Sequence, residues 1–234
     1  MRNISALAAA NSSVPQLDYY GLLKGEIFDA LYNPVATWTV ITTLLAELLP
    51  KPAGIIPFVE QTLQATNASI LGTSEALYGI QCGDNTFRVD TLEEITPLVE
   101  FLYDQSSIAG DLWTVIPMTC ARWPFAAKER VNTDWTNIKT RNPILFVGNV
   151  FDPVTPLASA RNASAGFVDS DVLVQNGYGH TSIAQPSRCT ARYIRDYFAH
   201  GTMPPADTIC QVDVNAFTNQ TFVGTRTSRY RRGG

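Results

Sequence analysis

Apolar residues recur at helical spacing through the first half of the chain and give way to short, continuous apolar runs after about residue 142. In "PQLDYYGLLKGEIFDALYNP" (15–34), Leu17, Tyr20, Leu22, Ile27 and Leu31 recur at helical spacing. The Asn33–Pro34 pair reads as an N-cap with proline at the first helical position, opening a second helix to about Leu49. "TLEEITPLVEFLYDQ" (91–105) opens on Thr91 with Glu94 three residues later, the signature of a capping box. A further helix is expected through "GDLWTVIPMTCARW" (110–123), and "ALYGIQC" (76–82) is an ambiguous strand signal. Beyond 142 the pattern predicts two strands, "PILFVGN" and "DVLVQNG" (171–177), separated by a helical "TPLASARNASAGF" (155–167). "SRCTARYIRDYFAHG" (187–201) is then a helix with Gly201 as its stop. Strand–helix–strand–helix at this spacing implies neighbouring parallel strands, hence an α/β class.

Two parallel strands do not make a stable sheet by themselves, because such sheets need several members and cover on both faces. The chain therefore reads as a helical cap or lid block (15–125) followed by the last two βα units of a larger parallel sheet (126–212). Residues 1–14 are expected to be an unstructured start of a truncated chain. The segment 213–234, ending "TRTSRYRRGG", is expected to be a solvated basic tail.

Composition narrows the functional classes. The 234 residues are 45% hydrophobic and 16% charged, which excludes a disordered chain. A net charge of −4 and a pI near 5.2 disfavour nucleic acid as a partner, since phosphate recognition needs clustered Lys and Arg. The most apolar stretch, "VATWTVITTLLAELLP" (35–50), is interrupted by Thr and Glu and closed by Pro50, so it is expected to be a buried helix and not a membrane span. The first residues are too polar for a secretory leader. Even so, five Asn-x-Ser/Thr sequons, at Asn3, Asn11, Asn67, Asn162 and Asn219, point to a secreted glycoprotein. The four cysteines point the same way. They allow three pairings, of which Cys82–Cys120 with Cys189–Cys210 closes the two shortest loops.

Candidate chemistry collects at two strand ends. The run "NPILFVGNV" (142–150) delivers Asp152 into a turn stiffened by Pro153 and Pro156. His180, in "NGYGHTS", follows the next strand on a glycine-flanked loop. The carboxyl edge of an open α/β sheet is where such sheets place catalysis. Parallel neighbours would bring the two side chains together as an acid–base pair, with Asp152 orienting the imidazole and His180 taking a proton from a hydroxyl or thiol nucleophile. The competing reading has Asp152 merely capping the following helix and His180 as an ordinary loop residue. His200, in the last turn of its helix, is explained by the helix dipole. Two isolated histidines offer no metal site, and no glycine-rich loop follows a strand at nucleotide-binding spacing, so neither metal nor cofactor is expected.

A nucleophile is harder to find. An α/β hydrolase carries a Gly-x-Ser-x-Gly elbow ahead of the acid and the histidine, and the 234 residues contain none. "NASAG" (162–166) lacks the first glycine and falls between acid and base, while "GTSEA" (72–76) lacks the closing glycine and a preceding strand. Cys82 and Cys120 are better used as a disulfide than as thiol nucleophiles.

The segments "PILFVGNVFDPVTPLASA", "NGYGHTS" and "SRCTARYIRDYFAHGTMPPADTIC" resemble the C-terminal portion of the tripeptidyl aminopeptidase-like (TAP-like) α/β hydrolases. "IQCGD" and "CARWP" are similar to that family's lid-to-domain segment and "GEIFDALYNPVATW" to its cap region, so the likeness runs over roughly 20–212. The resemblance implies a partial α/β-hydrolase fold, the acid role for Asp152, the base role for His180 and a Cys189–Cys210 bridge. It also implies a nucleophile and oxyanion hole in an N-terminal half, a peptide or small amide or ester as substrate, and secretion of the parent protein. The expectation is accordingly the C-terminal part of a secreted serine hydrolase, inactive as the isolated chain. The rivals are a non-catalytic peptide- or partner-binding relative and a truncated gene product.

Overall fold

The computed structural model describes residues 19–48, 50, 74–130 and 134–217. The start 1–14, most of the basic tail, Leu17, Asn3, Asn11, Asn67 and Asn219 lie outside the described residues. The chain divides into two compact units, one of residues 1–29 with 44–132 and the other of residues 30–43 with 133–234. No helix among the described residues is long and apolar enough to cross a membrane.

Among its described residues the first unit is helical. Helix α1 (Tyr19–Ala30) buries Leu23 and the stem of Lys24, whose ammonium reaches Asp111 Oδ1 at 2.5 Å. A cation this buried is tolerated because it is paired. Phe28 meets the edge of Trp113 with ring centroids 5.9 Å apart. The ambiguous "ALYGIQC" run is helical, within α3 (Ser74–Asp84). Its Leu77 and Ile80 are exposed and its Cys82 fully buried, so no alternating strand face exists there. Helix α4 (Leu92–Gln105) starts on the expected capping box: Glu94 N–H donates to Thr91 Oγ1, and the Glu94 carboxylate accepts from Thr91 N–H at 3.1 Å. The helix expected over 110–123 is broken into a 3-10 turn (Leu112–Thr114) and α5 (Val115–Ala121). Pro117 lies in the first turn of α5, where its missing N–H costs no helical bond. Cys82 and Cys120, both fully buried, form a disulfide that ties α3 to α5. Arg88 supports the same corner by donating to the carbonyls of Cys82, Trp123 and Phe125.

Helix α2 (Pro34–Leu48) starts at the expected proline, with Asn33 O accepting from Ala36 and Thr37 N–H; its first ten residues belong to the second unit. It is not the buried helix expected, since Pro34 is buried but Val40 is 67% exposed. There the two expected strands are β1 (Leu145–Phe151) and β2 (Asp171–Tyr178), paired in parallel with Leu145 opposite Asp171 and Asn149 opposite Gln175. Helix α6 (Leu157–Ala165) connects them. Helix α7 (Arg188–His200) follows β2, capped by Ser187 Oγ accepting from Thr190 N–H and ended by Gly201 in the left-handed region. The Tyr197 hydroxyl donates to Pro143 O at 2.8 Å and pins α7 to the entrance of β1.

A third strand, β3 (Ile209–Gln211), extends the sheet to the order β1-β2-β3, all parallel. The sequence pattern predicts two strands because three residues are too few to show periodicity. The pairing of Val174 with Ile209 and Gln175 with Cys210 makes it a strand, and the Cys189–Cys210 disulfide fastens it to α7. The β1–β2 register slips between Asn149 and Phe151, leaving an extra residue in β2 near its carboxyl end. Such irregularities re-aim the chain beside a site.

Candidate active site

Asp152 emerges one residue beyond β1 with its side chain only 2% exposed. The Asp-Pro-Val-Thr turn folds back onto it: Oδ1 accepts from Val154 and Thr155 N–H, both at 2.8 Å. Oδ2 accepts from the Thr155 hydroxyl and from Thr181 N–H, both at 2.9 Å. His180 Nδ1 lies 3.2 Å from Oδ1 and 3.3 Å from Oδ2. Asp152 thus caps its own turn and also faces the imidazole, so the two rival readings of the sequence describe one carboxylate. Burial pushes its carboxyl pKa up, but the N–H donors of Thr181, Thr155 and Val154, with His180, outweigh burial and hold it below the usual carboxylate range. The group is therefore an acceptor-only carboxylate at neutral pH. An acceptor facing Nδ1 selects the tautomer with its proton on Nδ1, which leaves Nε2 as the basic nitrogen.

The His180 loop is itself tightly held. Gly179 has φ +93°, and a Cβ there would run into Pro34 and come within 2.8 Å of Ala184 Cβ, so only glycine fits. Its N–H donates to Phe151 O at 3.1 Å, and His180 N–H donates to Tyr32 O at 3.0 Å. The Tyr32 ring meets the imidazole edge-on at 5.1 Å. Thr181 sits in the left-handed region at φ 66°, a conformation that costs a non-glycine residue about 1 kcal/mol or more and persists when its surroundings hold it. Its N–H bond to Asp152 and its carbonyl bond from Asn149 Nδ2 at 2.7 Å do so. The His180 side chain is 27% exposed and accessible to a reacting group.

Of the other site candidates, His200 is exposed in the last turn of α7, and Asn162 is exposed on α6. Neither lies among the groups contacting Asp152. The residues that sequence reasoning passed over are Asn149, Thr155, Thr181, Tyr32, Gln175 and Gln185. Two of them carried a signal: Asn149 is the single carboxamide in its strand run, and Gln175 directly follows the apolar Val172–Val174. Both are fully buried.

Residues 106–210 match the family model described as TAP-like protein. This segment belongs to the TAP-like family. The match covers α5, β1, α6, β2 and α7 and reaches Cys210, so the second unit is a partial α/β-hydrolase fold. The chain is also similar to the serine protease Hip1 of Mycobacterium bovis and of two strains of Mycobacterium tuberculosis. Each is 25% identical over 206 residues, a stretch that covers 83% of this chain. The chain spans 37% of the length of these curated relatives. The relationship to serine hydrolases is thus one of family.

Proposed function

We propose that Asp152 and His180 are the acid and base of a serine-hydrolase triad that cleaves peptide or related amide and ester bonds. The observation that carries this reading is the buried, ionised Asp152 within 3.2 Å of His180 Nδ1 at the carboxyl edge of a parallel sheet. In the reaction, Asp152 keeps the proton on Nδ1. Nε2 takes the proton of the serine hydroxyl as it attacks the carbonyl carbon, and then gives that proton to the leaving amine. A water molecule repeats the sequence to release the acid, and Asp152 stabilises the imidazolium at both stages. The serine and the oxyanion-hole donors come from polypeptide other than these 234 residues. Among the described residues β1 is paired on one side only, by β2, and its "LFVGNVF" edge carries no charge or proline to discourage a further strand. Residues 15–125 serve as the cap or lid segment and 126–212 as the catalytic segment. Two disulfides and the exposed Asn162 sequon support a secreted, glycosylated protein.

The test is to isolate the native polypeptide, record its intact deglycosylated mass and N-terminal sequence, and assay it on peptidyl amides alongside the 234-residue chain. The native protein is expected to exceed 25.7 kDa, to carry Gly-x-Ser-x-Gly, and to lose activity by about a thousandfold or more on His180→Ala. The 234-residue chain is expected to leave a fluorophosphonate probe unreacted. Labelling of that chain, or full activity in the His180→Ala protein, would overturn the proposal.

A further inference from the structure

We propose that Asn149 is the positioning residue for His180, a role that rests on the acid–base reading above. Asn149 lies in β1, three residues before Asp152, and is completely buried. Its side-chain nitrogen donates to Gly179 O at 3.0 Å and to Thr181 O at 2.7 Å, the carbonyls on either side of His180. One strand therefore carries the acid and also grips the loop that carries the base. The distance between the two catalytic groups is then set within a single rigid element, and not by a flexible loop closing on a strand.

The neighbouring strand repeats the device. Gln175, the register partner of Asn149 and also fully buried, donates through Nε2 to Ser182 O at 3.2 Å and to Gln185 O at 2.8 Å. Gln185, 2% exposed, accepts from Tyr178 N–H at 2.8 Å and donates to Val214 O at 2.6 Å. Three buried carboxamides thus hold the segment from Tyr178 to Gln185 by its own backbone groups. This segment makes a tight reversal through positive φ at Gly179 and Thr181, so its carbonyls cannot all pair in the sheet ladder. The Gly179 carbonyl is buried and needs a donor there, while that of the exposed Thr181 is part-buried.

The chemistry selects asparagine at position 149. Two carbonyl oxygens converge on one nitrogen, so the residue must supply two N–H groups from one atom. Aspartate would set a carboxylate against both carbonyls, serine supplies a single donor, and an apolar residue leaves both carbonyls unpaired. When the grip is released, Thr181 is free to leave its left-handed conformation. Its N–H then withdraws from Asp152 Oδ2, and the imidazole loses its register against the carboxylate.

The experiment reads the tautomer of His180 in the full 234-residue chain. Only two histidines exist, so His200→Gln leaves a single imidazole, whose Nδ1 and Nε2 are distinguished by nitrogen-15 chemical shift at a pH where the ring is neutral. The Nδ1–H form is expected to dominate in this background. Adding Asn149→Ala or Asn149→Ser is expected to lower its share at least twofold, more for alanine than for serine, while the thermal melt stays cooperative. Adding Asp152→Asn is expected to lower it whatever residue stands at 149. If both Asn149 variants keep the parental tautomer ratio while Asp152→Asn shifts it, the positioning role is wrong and the acid–base reading stands. If Asp152→Asn leaves the ratio unchanged, the acid–base reading fails and the positioning role fails with it. Loss of folding in both Asn149 variants would assign the residue to the fold and likewise overturn the proposal.

Discussion

Asp152→Asn keeps the volume of the side chain and removes its charge, so its cost can be worked from the partners of each oxygen. With its carbonyl at the Oδ1 position, the asparagine still accepts from Val154 and Thr155 N–H. Its amide then replaces Oδ2, where the Thr155 hydroxyl can turn to accept but Thr181 N–H cannot. One charge-assisted bond is lost against an opposing donor, and three others, with the contact to His180, fall from charged to neutral strength. Bonds to charged groups contribute about 1.5–3 kcal/mol and neutral ones about 1 kcal/mol, so the lost bond alone is expected to cost about 1.5–3 kcal/mol at pH 7, with each weakened bond adding to it. The loss has a definite pH dependence. The carboxyl pKa is depressed in the folded state because the Thr181, Thr155 and Val154 donors and His180 outweigh burial. Its stabilisation is therefore complete above the unfolded aspartate value of about 3.9 and disappears as pH falls through the lower folded value. The gap between wild type and variant should be full at pH 7, nearly full at pH 5 and narrowing below about pH 4. Urea unfolding followed by near-ultraviolet circular dichroism at these pH values measures it. A gap at pH 7 below about 0.5 kcal/mol, the size of an ordinary surface substitution, would refute this account of the site, as would a gap that does not change with pH.

Three further outcomes follow from single features. Gly179→Ala adds a Cβ against Pro34 at a backbone φ of +93°, and should cost about 2–3 kcal/mol; a melting temperature within 2 °C of wild type, by rough conversion, would contradict the fit drawn here. Removing the Cys189–Cys210 bridge, whose cysteines are 21 residues apart, should destabilise the second unit by about 3 kcal/mol through unfolded-chain entropy. The urea midpoint of the double serine variant checks this, since it should not respond further to a reductant that acts on this bridge. Thr91→Ala removes the acceptor for Glu94 N–H and should cost about 1 kcal/mol, read as faster hydrogen exchange in the first turn of α4 and not elsewhere.

Much of the molecule was legible in the sequence because the relevant physics is local. Pro34 at a first helical position, the Thr91–Glu94 box and Gly201 as a stop are each decided by a few adjacent residues, and the structure places them accordingly. The runs at 145–151 and 171–178 are strands because short β-branched and aromatic stretches bounded by Pro and Gly have little alternative. Parallel pairing followed from the helix between them, and with it the placement of Asp152 and His180 on one edge. Tertiary structure decided what depends on distant partners. Strand β3 is three residues long and exists because β2 pairs with it and Cys210 anchors it. The 76–82 segment is helical within α3, whose Cys82 meets Cys120 across 38 residues of chain. The dual duty of Asp152, as cap of its own turn and partner of His180, needed the register of two strands and the positive φ of Thr181. Asn149 and Gln175 were not singled out in the sequence, although each is polar within its strand run. What they hold became visible only once the loop after β2 folded back over them, since a buried donor is explained by the acceptor it meets and that acceptor lies about 30 residues away for Asn149 and Gly179.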